Sequence, residues 1–317
     1  MNDQGQSTWR KMLRAFLTSP TGLVSAIALL GLAVLIVMGP DGFGDSAVTS
    51  DMARSGEGPS PEFPLGTDVL GRDILTRALA ATRTSIVYAS IAILIAMVVG
   101  GLIGGLLASA GPRVRRLGGG VIDTLMGFGD ILLAVIVVAI VGVGVKGAIL
   151  AIGVAFTPHF ARFTYSLVET VLVRDYIAAA RVVGVGRLAI ARRYVARNVA
   201  DSMAIVTFSA VGEGIIAMSS LSFLGLGIQS PSFDWGQMLT DGVENFYLNP
   251  YAALAPAVLI LITGLAVGLF GDALARAVNP VLWSQRPSLF AGRFAGLRVK
   301  SMRPPGNGVE RKPEVGQ

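Results

Sequence analysis

The chain contains no cysteine and one histidine among 317 residues. The first absence excludes disulfides and thiolate metal sites, and the second excludes a multi-histidine metal centre. Charge is also scarce, at 15% of residues against about 25% in a typical soluble domain. No GxxxxGK[ST] phosphate loop, GxSxG elbow or HExxH pair occurs, so ATP, ester and peptide hydrolysis have no recognisable machinery here. What is abundant is apolar. The hydrophobic fraction is 53% and there are 40 glycines, a balance that fits a polytopic all-α membrane protein.

Six hydrophobic segments follow one another. Residues 1–20 form a polar N-terminal segment with Arg10, Lys11 and Arg14. The first span is expected over 21–39, with Gly22–Met38 free of charge; a signal peptide is the rival, but GPDGFGDSAV after it is a poor cleavage site. Residues 40–84 read as an extracytoplasmic loop rich in Gly, Pro and acid. The core, 85–271, holds spans at Ser85–Ala110, Gly119–Val145, Gly147 to about Phe160 extended by Ala161–Leu167, Ala204–Gly227 and Tyr251–Phe270. In the fourth, Arg162 is expected to snorkel to the surface and His159 to lie near the cytoplasmic end. Residues 234–244 read as a loop. The tail, 272–317, is basic, and beyond Pro304 its composition is that of a disordered segment.

Six spans place both termini on one side. That side then carries 21 of the 26 Lys and Arg, while the other carries five together with ten acids in its loops. The asymmetry identifies the basic side as cytoplasmic. It also accounts for the net charge of +6 by topology, leaving no case for nucleic acid as a partner.

Three carboxylates fall within or at the edge of spans: Asp123, Asp130 and Glu213. An ionised group in hydrocarbon is costly and is therefore a functional candidate. Asp123, near an interface, fits a carboxylate paired with Arg. Asp130 and Glu213 lie deeper and are candidates for a polar pathway.

The stretch Arg174–Asn198, RDYIAAARVVGVGRLAIARRYVARN, is the polar exception in the apolar half of the chain. Asp175 suits an N-cap, Tyr176–Val183 a short helix, Gly184 and Gly186 a turn, and Arg187–Asn198 a second helix. Cations beside a membrane also hold anionic lipid. That role does not need three consecutive alanines before a glycine turn. Small side chains admit a close partner, and glycine reverses the chain without steric cost.

In this order the motifs resemble those of the permease subunits of ABC importers. Ala179, Ala180 and Gly184 match the Glu-Ala-Ala…Gly signature of their cytoplasmic loop, with Ala178 where the family has Glu. Tyr194 and Arg197 stand where its H-I-x-P-N ending has His and Pro. PLGTDVLGRDILTR (Pro64–Arg77), LSFLGLGIQSPSFDWGQML (Leu221–Leu239) and GDALARAVNP (Gly271–Pro280) are similar to the dipeptide/oligopeptide/nickel importer family, and the long loop after span one to its C-type subunit. The resemblance implies a type I importer permease of MetI-like fold. It further implies a second, B-type permease, two ATP-binding subunits that carry ATP and Mg, an extracytoplasmic solute-binding protein, and no cofactor or ATPase site in this chain. It assigns ATPase coupling to Tyr176, Ala178, Ala179, Ala180, Gly184 and Arg187, and a location in the cell membrane of a prokaryote.

An ATP-independent secondary transporter is the main alternative, and would show inverted repeats with broken helices at matching positions. The loops here are too unequal for two such halves. An intramembrane enzyme lacks its nucleophile set, and a scaffold would show no solute flux. For cargo, peptides are the commoner role in the family, with nickel or another small solute as the alternative.

Overall fold

The computed structural model describes residues 19–278; of 20, 38–46, 187, 188 and 278 it describes the backbone alone. The N-terminal segment up to residue 18 and the tail from 279, including Pro280 of the last motif, lie outside the described residues.

Every regular element among the described residues is helical. They are α1 (Pro20–Val48), α2 (Ile74–Ser109), α3 (Pro112–Gly127), α4 (Asp130–Val141), α5 (Val145–Leu172), α6 (Asp175–Val182), α7 (Arg187–Ile190), α8 (Ala196–Phe223), α9 (Trp235–Glu244) and α10 (Tyr251–Val278). A π-helical turn, Ala191–Val195, joins α7 to α8.

The core is built on α2 and α5, which touch through glycine. Gly100 and Gly104 are spaced four apart on α2. A Cβ at Gly100 would lie 2.5 Å from the Thr157 carbonyl oxygen, and one at Gly104 2.2 Å from that of Ala161. Such spacing lets two backbones meet, which in a membrane replaces the missing hydrophobic drive between helices. Around this contact the buried residues are mostly small: Ala89, Ala92, Ala96, Ala148, Ala151 and Ala155, with Ile93, Ile152, Phe156 and Phe160 filling the gaps. α8 packs on α2 and α10, α4 on α5, and α1 on α2 and α10.

Several boundaries differ from expectation, each for a local reason. α1 continues to Val48 rather than ending near residue 39. α2 starts at Ile74, inside the expected outer loop, because Asp73 caps it by accepting from the Leu75 and Thr76 N–H groups. The third apolar segment is not one straight span. α3 and α4 meet at 95°, where Gly129 takes φ +75°, a conformation open mainly to glycine. The fourth is longer than expected, with Pro158 inside it.

The expected second polar helix does not end at Asn198. α7, the π turn and α8 follow without interruption, because Ile190, Val195 and Val199 are buried while the arginines between them point outward. Residues 235–244 form a short helix, α9, capped by Asp234. Among the described residues three helices are long and apolar enough to cross a membrane, Ile74–Ser109, Ala191–Phe223 and Tyr251–Ala277. A fourth is obtained if α3 and α4 count as one broken span.

On the side of the α2 N-terminus, two of the sequence motifs lock together. Trp235, wholly buried, donates from Nε1 to the Ala78 carbonyl at 2.8 Å, and its backbone N–H donates to Ser85 Oγ at 3.0 Å. Thr84 donates to the Phe233 carbonyl at 2.7 Å, and the Arg77 guanidinium lies 4.4 Å from the Phe233 ring centre. Asn249 draws in residues 51–73 by donating to the carbonyls of Glu57 and Leu65. Pro64–Arg77 and Leu221–Leu239 are thus two halves of one cap over the bundle.

Candidate functional site

α6 stands at the opposite end of the chain's long helices, between the end of α5 and the start of α7. Asp175 is its first residue rather than its cap: Arg174 takes the N-cap position and makes no side-chain cap. Asp175 instead adds negative charge to the first turn, where the helix dipole favours it, and Arg181 adds positive charge to the last.

The C-terminus closes on Gly184. With φ +85°, it allows the Gly184 N–H to bond the Arg181 carbonyl and the Val185 N–H to bond that of Ala180, both at 3.0 Å. This is a Schellman closure, and it requires the left-handed residue at that position. One face of the helix is rooted by Ile177 and Ala180, both buried. The other leaves Tyr176, Ala178, Ala179, Val182 and Val183 exposed, the last two at 88% and 83%. Two bare valines and two bare alanines on a short, closed helix form a knob that a complementary groove can cover.

Tyr176 also reaches sideways. Its ring stacks on Tyr194 of the π turn, with centroids 6.2 Å apart and planes at 28°. Asn198 then caps that turn, donating to the Tyr194 carbonyl at 2.7 Å. The structure therefore brings Tyr176, Ala178, Ala179, Ala180 and Gly184 together; Arg187 opens α7 a few residues beyond, and its side chain lies outside the described residues. Tyr194, which the sequence marks only as a departure from the family pattern, is the residue that ties the knob to α8.

The intramembrane carboxylates divide. Asp123 meets Arg162, Nη1 to Oδ1 3.6 Å, with both side chains about half exposed. Asp130, in the first turn of α4, meets His159 Nδ1 at 3.4 Å. His159 is not near the end of its helix. At a rise of 1.5 Å per residue it lies about 21 Å from Val145 and about 20 Å from Leu172. Towards the α6 end Arg115 meets Glu169 at 3.0 Å, and Tyr165 donates to the same carboxylate oxygen at 2.8 Å. Glu213 stands exposed on α8 without an ion-pair partner among the described residues. The structure does not bring Glu213 into the Asp130 pair. Among the described residues no group of three His, Asp or Glu is placed to hold a metal.

Residues 98–283 match the family described as binding-protein-dependent transport system inner membrane component. The glutathione transport system permease protein GsiD of Pectobacterium atrosepticum is 32% identical over 280 residues, covering 88% of this chain and 93% of the relative. The peptide transport system permease protein SapC of Escherichia coli O6:H1 is 34% identical over 283 residues, covering 86% and 93%. The di/tripeptide transport system permease protein DppC of Pseudomonas aeruginosa is 35% identical over 231 residues, covering 71% and 75%. Among solved structures, a chain of the MetNI methionine ABC transporter in inward-facing conformations aligns with TM-score 0.51 at 20% identity. The match covers 65% of this chain and 96% of that one, and shows a shared fold. The chain belongs to the family of binding-protein-dependent transport system inner membrane components.

Proposed function

We propose that this chain is one of the two membrane subunits of an ATP-driven importer fed by a solute-binding protein, with di- or oligopeptides as cargo. The family membership and the permeases of peptide and glutathione systems among its relatives support the class and the cargo. In this reading the chain crosses the membrane six times, with both termini in the cytoplasm. It pairs with a B-type permease and carries no ATPase chemistry; two partner subunits bind ATP and Mg.

The observation that carries the reading is α6. Ile177 and Ala180 root it, Gly184 closes it, and the Tyr176–Tyr194 stack joins it to the start of α8. A groove in an ATPase that grips Ala178, Ala179, Val182 and Val183 therefore moves α8 with it. Rigid-body switching of a bundle needs such a stiff point of purchase. Where the family signature has Glu, Ala178 removes a charge; an exposed ion pair is worth only about 0–1 kcal/mol, so shape is sufficient for docking.

The test is co-purification of the chain, tagged at its C-terminus, from its native membrane in mild detergent. An ATP-hydrolysing subunit is expected to accompany it. Its absence under every mild condition, with solute flux driven by an ion gradient instead, would sink the proposal.

A further inference from the structure

Two ion pairs and a histidine–carboxylate contact run along one face of α5. His159–Asp130, Arg162–Asp123 and Glu169–Arg115 use α5 positions three and then seven apart, and Tyr165 and Ser166 lie between the last two on the same side. None of the pairs is enclosed: the six side chains are 34–56% exposed. The Glu169 end opens into two clefts that meet at Arg115. One, of about 540 Å³, is lined by Glu169 and Arg181, and the other, of about 260 Å³, by Arg116 and Tyr165. The inner end, at His159, is the midpoint of a helix about 42 Å long; with α5 as one of the six crossings proposed above, it lies near the centre of a hydrocarbon core about 30 Å thick. Half-open ion pairs at that depth are incompatible with lipid contact, because hydrocarbon solvates neither partner.

We infer that this stripe is the wall of a water-filled wedge reaching from the cytoplasm to mid-membrane, and that the His159–Asp130 pair at its tip binds the charged ends of a short peptide. His159 donates an N–H to the terminal carboxylate, and Asp130 accepts from the terminal ammonium. Each group exchanges a partner in the pair for one on the solute, so no charge is left bare. The position suits this exchange, since Asp130 begins α4 beyond the Gly129 break and His159 follows Pro158. The ligand rests on the peptide reading above, and the hydration only on the six-crossing topology.

The chain's lack of cysteine makes the test direct. Single variants His159→Cys and the conservative Ser166→Cys, each in the complete complex in inside-out vesicles, are exposed to a membrane-impermeant cationic thiosulfonate. Leu30→Cys and Leu261→Cys, at exposed apolar positions, are the references. Both stripe positions are expected to react at least roughly tenfold faster than the references, because thiolate forms readily only in water. Labelling at 166 but not at 159, or at neither, overturns the wedge.

Uptake of dialanine, its N-acetyl form and its C-terminal amide reads the contacts. His159→Gln should raise KM for the free-carboxylate forms roughly tenfold, with maximal rate kept and the amide little affected. Asp130→Asn should do the same for the forms with a free ammonium. An equal loss of maximal rate for all three solutes assigns the pair a structural role and overturns the contact. If the unaltered complex takes up no peptide, the peptide reading and the contact fail together, while the labelling still decides the wedge.

Discussion

Asp234 combines two demands in one carboxyl group. One oxygen caps α9 by accepting from the Gln237 N–H at 3.0 Å, and the other is buried with no hydrogen-bond partner among the described residues. Burial penalises the ionised form and pushes the group up from 3.8 to about 6, only partly offset by the capping N–H groups. A folded-state value above the unfolded one means that the folded cap holds the proton more tightly. The resulting stability is fully present below about pH 3.8 and is lost as pH rises through about 6. In thermal unfolding of the detergent-extracted complex, Asp234→Asn should remove this part of the pH dependence while keeping the cap acceptor. An unchanged pH profile would show that the group titrates normally. A second residue prediction concerns Trp235, where alanine leaves a large cavity and frees the Ala78 carbonyl. The expected cost is about 3–5 kcal/mol, seen as loss of assembled protein, with phenylalanine milder.

These residues show what a sequence reveals at this scale. The Asp-Trp pair is visible as part of a motif, but the motif does not say that Trp235 is buried against α2. Burial depends on which distant segment arrives. Tyr194 is similar. It is conspicuous as a departure in the family pattern, yet its stacking on Tyr176 depends on the π turn, which has no compositional mark. Asp130 was legible as a candidate because charge is rare in apolar runs; its partner was not, because the length of α5 places His159 at mid-helix rather than at an end.

At the scale of elements, the α2–α5 contact sets the bundle. Gly104 abuts the backbone of α5, whereas nothing lies within 4 Å of a Cβ at its neighbour Gly105. Gly104→Val should therefore force the helices apart and abolish assembly, while Gly105→Val leaves yield within a factor of about two. Equal behaviour of the two variants, measured as complex recovered from membranes, would refute a glycine-mediated contact. Element identity was largely legible, since long apolar runs become helices. Two boundaries were hidden by opposite effects. The 95° break at Gly129 lies inside a continuous apolar run, where hydropathy is blind to φ. The junction at Asn198 looked like an end because arginines cluster there, yet the buried stripe of Ile190, Val195 and Val199 carries the helix onward. Gly184 was legible, because a small-residue helix followed by glycine has few other closures.

At the scale of the whole molecule, the distribution of 26 cations is the most readable property. It predicts that reporters fused at either terminus are active only in the cytoplasm, while one inserted after Ser60 is active only outside. A terminus found outside would remove one crossing and invert the coupling helix. In the proposed importer the cap formed by Asn249 and Trp235 at the one end would face the solute-binding protein, and the knob of α6 at the other the ATP-binding subunits. No residue pair in sequence announces that arrangement; it follows from the direction of α5 and α8.

Coupling through α6 is the central claim, and one measurement bears on it most directly. In the reconstituted complex, ATP hydrolysis is followed with and without peptide-loaded binding protein, for the unaltered chain and for Gly184→Val. Valine finds open space there but not an easy φ of +85°, so the closure of α6 is strained by roughly 1–3 kcal/mol while the bundle stays intact. The account predicts that loaded binding protein stimulates hydrolysis in the unaltered complex, and that Gly184→Val keeps the ATPase bound but loses both stimulation and uptake. Full stimulation and uptake in the variant would contradict it.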